Sequence, residues 1–149
     1  MLEGGRLFYV QFNEFLLRCG ILRERERRKL SAITWFVLAS FLLALFASEK
    51  AAIAAWLYAL FGDWMAAVVG TRWGKHRKGE KSLEGTTANL LACLFLALLV
   101  SPSLEFPLAV AIAGALVATV VELIPLPPDD NFTVPFLAGF VMHFLERIR

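Results

Sequence analysis

Two clusters of polar residues stand inside a chain that is otherwise strongly apolar. The first starts at Gly62-Asp63, passes through Gly70 and Gly74-Lys75, and ends in Lys81-Ser82-Leu83-Glu84-Gly85. The second is Glu122 followed by Asp129-Asp130-Asn131. Carboxylates, a basic loop and glycines near helix ends are the parts that a site for nucleotide phosphates and a metal ion requires. Carboxylate oxygens suit a hard cation, while ammonium groups and free helix N–H groups suit phosphate. The apolar surroundings imply that the other ligand comes from the bilayer.

Asp63 is the most informative single residue, because an ionisable group inside an apolar segment is costly and faces a bundle interior or water. It could be a magnesium ligand, or a base that accepts a proton from an alcohol; the alternative is a structural ion pair with a nearby Arg or Lys. Gly62, Ala66, Gly70 and Gly74 recur every four residues. That stripe lets a second helix approach closely, and near the helix end it also lets phosphates approach the backbone. The loop Arg72-Trp73-Gly74-Lys75-His76-Arg77-Lys78-Gly79-Glu80-Lys81 is basic. It could serve as a topology signal, bind anionic headgroups, or contact phosphate.

At the start of the next apolar segment, Ser82 could cap a helix or hydrogen-bond a phosphate. Lys81 could neutralise a transferring group, and Glu84 could bind metal or complement the helix dipole. Glu122 is a second acid within an apolar segment. Pro125, Pro127 and Pro128 end its helix, and the subsequent Asp129, Asp130 and Asn131 supply more oxygens than capping by Asp130 or Asn131 requires. His76 reads as a solvated loop residue and His143 as structural. Zinc-ligand spacing, a Walker P-loop and a Gly-x-Ser-x-Gly elbow are all missing.

These residues must be positioned by helices. The chain has 149 residues, 58% of them hydrophobic, and a mean hydropathy of +0.64, which points to an integral membrane protein. Five apolar segments occupy 31–48, 51–71, 85–101, 106–124 and 132–146. Spanning takes ~20 apolar residues, and backbone groups in hydrocarbon need internal partners, so helices are expected. Residues 6–22 mix apolar side chains with Arg6, Gln11, Asn13, Glu14 and Arg18, as an interfacial amphipathic helix does, and residues 23–29 form a charged block. The expected fold is all-α: an interfacial, basic segment at 1–30 and a polytopic transmembrane bundle of about five spans at 31–149.

No cleavable signal peptide is expected from the charge-studded N-terminus. Cys19 and Cys93 suggest neither a disulfide nor a metal motif. With the N-terminus in the cytoplasm, twelve Lys and Arg residues fall on the inner side and only Lys50, Arg147 and Arg149 outside, a clear positive-inside bias. Five spans then place the C-terminus outside and both polar clusters on the cytoplasmic face. Asp63 lies ~12 Å of helix from Thr71, within reach of Glu84, Glu122 and Asp130 in one shallow cavity. Nucleic acid is an unexpected partner, since the basic residues hug the membrane face.

At these two clusters the sequence resembles the CTP-dependent lipid kinases: dolichol kinase, phytol kinase and the CTP-using diacylglycerol kinase. The matching stretches are Gly62-Asp63-x-x-Ala66-Ala67-x-x-Gly70-x-x-x-Gly74-Lys75, Lys81-Ser82-Leu83-Glu84-Gly85-Thr86, Glu122, and Asp130-Asn131-Phe132-Thr133-Val134-Pro135. The resemblance spans residues 24–145. It implies transfer of the γ-phosphoryl group of CTP to the hydroxyl of a membrane lipid, such as a polyprenol, a phytol-type isoprenoid or diacylglycerol.

In that reading Asp63, Glu122 and Asp130 hold Mg²⁺, and Lys75 and Lys81 neutralise the phosphates. Gly70, Gly74, Ser82, Gly85, Asp129 and Asn131 contact the nucleotide, and Asp63 or Glu84 deprotonates the lipid hydroxyl. Phosphatidate cytidylyltransferase has a similar but more distant pattern, so cytidylyl transfer is the first alternative. A non-enzymatic transporter or lipid-binding protein is the second. Family members usually carry further N-terminal spans with an Arg-Lys…His element, whereas here a short segment precedes Glu24. A minimal version of the family is expected, or a homodimer that completes the lipid cleft.

Overall fold

A computed structural model describes residues 31–79, 81–124 and 126–148. The amphipathic segment expected at 6–22 and the charged block at 23–29 lie outside the described residues. The five apolar segments form helices: α1 (Ala32–Phe46), α2 (Glu49–Trp73), α3 (Leu83–Ser103), α4 (Leu108–Leu123) and α5 (Asp130–Ile148). Serines open the first two. Ser31 Oγ accepts from Thr34 N–H at 3.2 Å, and Ser48 Oγ accepts from Ala51 N–H at 3.3 Å, so each meets one of the donors a helix start leaves free.

Within α2 the residues Tyr58–Gly62 wind as a π-helix. Between α2 and α3 the basic loop folds into a short antiparallel pair, β1 (Arg77–Lys78) and β2 (Lys81–Ser82), with Arg77 opposite Ser82 and Lys78 opposite Lys81. Gly79 turns the chain there at φ 68°, a conformation that suits a residue without Cβ.

Two of the helices, α2 with 25 residues and α3 with 21, are long and apolar enough to cross a membrane. At 1.5 Å per residue they measure ~37 and ~31 Å, against a hydrocarbon layer ~30 Å thick. Helices α1 and α4 are apolar but shorter.

Helix α5 packs on α4, on α1 and on the first half of α2, and α3 packs on α4 and the second half of α2. The contact surfaces are built from small side chains: Ala51, Ala54, Ala55, Ala97, Ala111, Ala115 and Ala138 are all fully buried. Small residues let helix backbones approach closely where apolar burial offers little discrimination between partners. Tyr58, fully buried among them, donates its hydroxyl to the carbonyl of Ala111 at 3.0 Å, which satisfies its polar end.

The bundle has two polar ends. At one, Ser48 N–H donates to His143 Nδ1 at 2.9 Å, Ser48 Oγ donates to Glu146, and Lys50 donates to the carbonyl of Glu105 at 3.2 Å. His143 therefore has the structural role its position suggests. The β1–β2 pair and the turn between α4 and α5 meet at the other end.

Candidate active site

Asp63 comes directly after the π-helical turn of α2. Such a turn takes one more residue than an α-turn and so re-aims the side chains beyond it; the Asp63 N–H is shared between the carbonyls of Ala59 and Leu60. Gly62 keeps that turn close to α3, since a Cβ there would lie 2.8 Å from Asn89 Nδ2 and 2.9 Å from Cys93 Sγ. The side chain of Asp63 is exposed, and among the described residues no Lys or Arg pairs with it. A structural ion pair thus does not account for this residue among those described.

Glu122 comes from the last turn of α4 and is only 8% exposed. Its Oε2 accepts a hydrogen bond from the side-chain amide of Asn89. Asn89 is 1% exposed, and its Oδ1 accepts from the Thr119 hydroxyl at 2.9 Å. A buried carboxylate without a donor would be strongly disfavoured, and Asn89 supplies that donor. Asn89 and Thr119 were not among the expected site residues. The signal was present: an amide between Ala88 and Leu90, within an apolar run, carries the same kind of desolvation cost that singled out Asp63.

Lys81 joins the two clusters. Its ammonium donates to the main-chain carbonyl of Glu122 and lies 3.1 Å from Asp130 Oδ2. The free carbonyls at the end of α4 carry partial negative charge, so a cation is favoured there. On the same strand Ser82 caps α3, its Oγ accepting from Gly85 N–H at 3.0 Å.

Three of the expected glycines surround this serine. A Cβ would come within 2.9 Å of Ser82 Oγ at Gly70, 2.8 Å at Gly74 and 3.0 Å at Gly85, and at Gly85 also within 2.8 Å of the Ala66 carbonyl oxygen. The glycine spacing therefore serves the crossing of α2 and α3.

These elements enclose a cleft of about 510 Å³ whose walls include Asp63, Gly70, Arg77, Lys81, Ser82, Gly85 and Glu122. That size lies in the roughly 300–1,000 Å³ range of small-molecule sites. A smaller cavity of about 80 Å³ adjoins it, lined by Asp63, Glu122, Asp130 and Asn131 together with Phe36 of α1. Asp63 and Glu122 line both spaces, so the two polar clusters meet around these two side chains.

Other expected residues lie elsewhere. Glu84 turns to the opposite flank of the α2–α3 seam. Its carboxylate accepts from the His76 N–H at 3.2 Å and lies 2.8 Å from His76 Nδ1. It borders an apolar groove of about 980 Å³ lined by Phe61, Trp64, Leu91 and Phe95, among others. His76, exposed as expected, is thus paired rather than merely solvated.

Lys75 is exposed and lines neither polar space. Arg77 stands in the wall instead, donating to the Gly70 carbonyl at 3.0 Å. The cap of α5 is made by Asp129 rather than by Asp130 or Asn131. Its Oδ1 accepts from the backbone N–H of Asn131 at 3.0 Å and from the Asn131 amide at 2.8 Å. With Asp129 and Asn131 bonded to each other, Asp130 is left to face Lys81.

Among the described residues no three His, Cys, Asp or Glu side chains are arranged to hold a metal ion unaided. A magnesium ion that arrives with a nucleotide needs only one or two carboxylates besides phosphate oxygens and water. Asp63, Glu122 and Asp130 line one cavity, so one or two carboxylates drawn from this set satisfy that need.

Among the described residues, fold and site together define a mostly helical bundle with a carboxylate-and-lysine cleft at one end. The chain is similar to an uncharacterized protein, RP860, of Rickettsia prowazekii (strain Madrid E), with 29% identity over 135 residues. The match covers 87% of this chain and 65% of the relative, so the chain spans about 65% of that protein's length. No family model matches the chain, and no solved structure matches it.

Proposed function

We propose that the chain is a membrane-embedded, magnesium-dependent kinase that transfers the γ-phosphoryl group of CTP to the hydroxyl of a lipid alcohol. The observation that carries this reading is the convergence of Asp63, Lys81 and Glu122 on one cleft, with Asp130 next to it. The resemblance of the same stretches to CTP-dependent lipid kinases supplies the nucleotide and the class of acceptor. All five helices are taken as spans, with local bilayer thinning around the short α1 and α4. The cleft then opens to the cytoplasm, where CTP is, while the lipid enters from the side.

Phosphoryl transfer asks a protein mainly for positioning and charge stabilisation. Magnesium, when bound, would neutralise charge on the nucleotide phosphates. Lys81 exchanges its contact with Asp130 for phosphate oxygens, so its ammonium faces the group in flight. Asp63, which has no Lys or Arg partner among the described residues, accepts the hydrogen bond of the lipid hydroxyl and takes its proton. The hydroxyl oxygen forms a bond to the γ-phosphorus, the bond from that phosphorus to the β–γ bridging oxygen breaks, and CDP leaves. Of the two candidate bases, Asp63 lines the cleft and Glu84 does not.

The test is transfer of radiolabel from γ-labelled CTP, with Mg²⁺, by the purified full chain, into a panel of polyprenol, phytol, geranylgeraniol and diacylglycerol. Labelled lipid phosphate and CDP are expected. With phosphatidate offered as a further acceptor, release of pyrophosphate and formation of a CDP-lipid would establish cytidylyl transfer instead. A chain with no affinity for CTP and Mg²⁺ would be a transporter or lipid-binding protein.

A further inference from the structure

Asn89 is a side chain that the kinase reading does not use, although it is more deeply buried than the acid it touches. It lies on α3 at 1% exposure, one helix away from Asp63 and one from Glu122. Its amide nitrogen donates to Glu122 Oε2. Its Oδ1 receives the Thr119 hydroxyl at 2.9 Å and lies 3.5 Å from the Cys93 thiol. Thr119 and Glu122 are three residues apart, on the same face of α4. The amide therefore grips two successive positions of α4 with opposite ends, and only one orientation of the amide serves both. Space for it is made by Gly62, where a Cβ would fall 2.8 Å from Asn89 Nδ2.

An ordinary core amide would satisfy itself on nearby backbone. This one holds a carboxylate whose other oxygen has no hydrogen-bond partner among the described residues, in a side chain that lines both polar spaces. We infer that Asn89 is a positioning residue: it fixes the Glu122 carboxylate so that the remaining oxygen is presented to the cleft. Its consequence for turnover rests on the kinase reading above, whereas its effect on Glu122 does not. Partners that orient a site carboxylate are typically worth about 10–100-fold in affinity or activity.

Two variants, Asn89→Ala and Asn89→Val, remove the amide donor without placing a second acid beside Glu122. A second variant guards against loss of folding in the first. Infrared difference spectra of the purified full chain in lipid nanodiscs identify the Glu122 carboxylate band by its disappearance in Glu122→Gln. That band is expected to shift in both Asn89 variants, and γ-phosphoryl transfer from CTP is expected to fall about 10–100-fold.

An unshifted band in a protein that turns over CTP would overturn the inference and leave the kinase reading standing. A shifted band in a protein inert toward CTP would overturn the kinase reading and leave the placement of Glu122 by Asn89 standing. Wild-type turnover in both variants of an active enzyme would remove Asn89 from any positioning role.

Discussion

Lys81 Nζ lies 3.1 Å from Asp130 Oδ2 and at the same time donates to the main-chain carbonyl of Glu122. One ammonium thus ties the strand that leads into α3 to the end of α4 and the start of α5. The two polar clusters, far apart in sequence, are joined through this side chain.

Replacing Lys81 by Met separates its structural role from its chemical one. The Lys81–Asp130 pair is partly exposed, with side chains 30% and 43% accessible, and pairs of that kind contribute about 1 kcal/mol or less. The contact with the α4 terminus adds a similar amount, about 0.3–1 kcal/mol. Thermal unfolding of Lys81→Met is therefore expected to shift by only a few degrees. Transfer from CTP is expected to fall by about 10²-fold or more, the usual effect of removing a charge that stabilises the transition state. Equal small losses in both measurements would reduce Lys81 to a helix cap.

Asp63→Asn is expected to abolish transfer while leaving the melting temperature near that of the wild type. The side chain is exposed and has no Lys or Arg partner among the described residues, so the fold loses little; exposed substitutions of this kind stay within about 0.5 kcal/mol. An amide cannot take the hydroxyl proton. Near-normal turnover by purified Asp63→Asn protein would sink the assignment of Asp63.

Gly85→Ala tests the crossing that forms the cleft floor. The added methyl would meet the Ala66 carbonyl oxygen at 2.8 Å and Ser82 Oγ at 3.0 Å. One obstacle is backbone and cannot swing away, so α2 and α3 must part. Overpacking of this kind costs about 1–3 kcal/mol, to be read as a lowered unfolding midpoint. Gly79→Asn, in the open turn of the β1–β2 pair, should be tolerated, because Asn adopts positive φ more readily than most residues.

Much of this arrangement was legible in the chain. The apolar run 31–48 became Ala32–Phe46, 51–71 became Glu49–Trp73, and 85–101 became Leu83–Ser103, because long apolar runs broken by Ser, Gly and Pro leave few alternatives to helix. Asp63 and Glu122 stood out through desolvation cost, and they share one cleft.

What stayed hidden was rotation about helix axes. Glu84 lies in the first turn of α3, where a change of one residue alters its facing by about 100°, and it turns to His76 instead of the cleft. The π-helical turn before Asp63 also leaves no periodic signature in the sequence. Asn89 stayed hidden because an uncharged amide in an apolar run draws less notice than an acid, although burial makes similar demands on it.

The crossing of α2 and α3, and the side on which the cleft lies, can be tested by chemistry from two sides of a membrane. The cleft end carries the basic residues of the loop from Arg72 to Lys81, and the opposite end holds Ser48, Lys50 and Glu105. A cytoplasmic cleft requires an odd number of crossings between Lys75 and Ser103, and between Lys75 and Glu49. In a Cys19→Ser background that retains the buried Cys93, single cysteines would be introduced as Lys75→Cys, Glu49→Cys and Ser103→Cys, all at exposed positions. A membrane-impermeant thiol reagent applied to sealed right-side-out vesicles is expected to label the Glu49 and Ser103 variants and spare the Lys75 variant. Inverted vesicles should give the reverse. Labelling of all three from one side would mean that α2 and α3 do not cross, and the cleft would then be open to lipid and nucleotide from the same aqueous face.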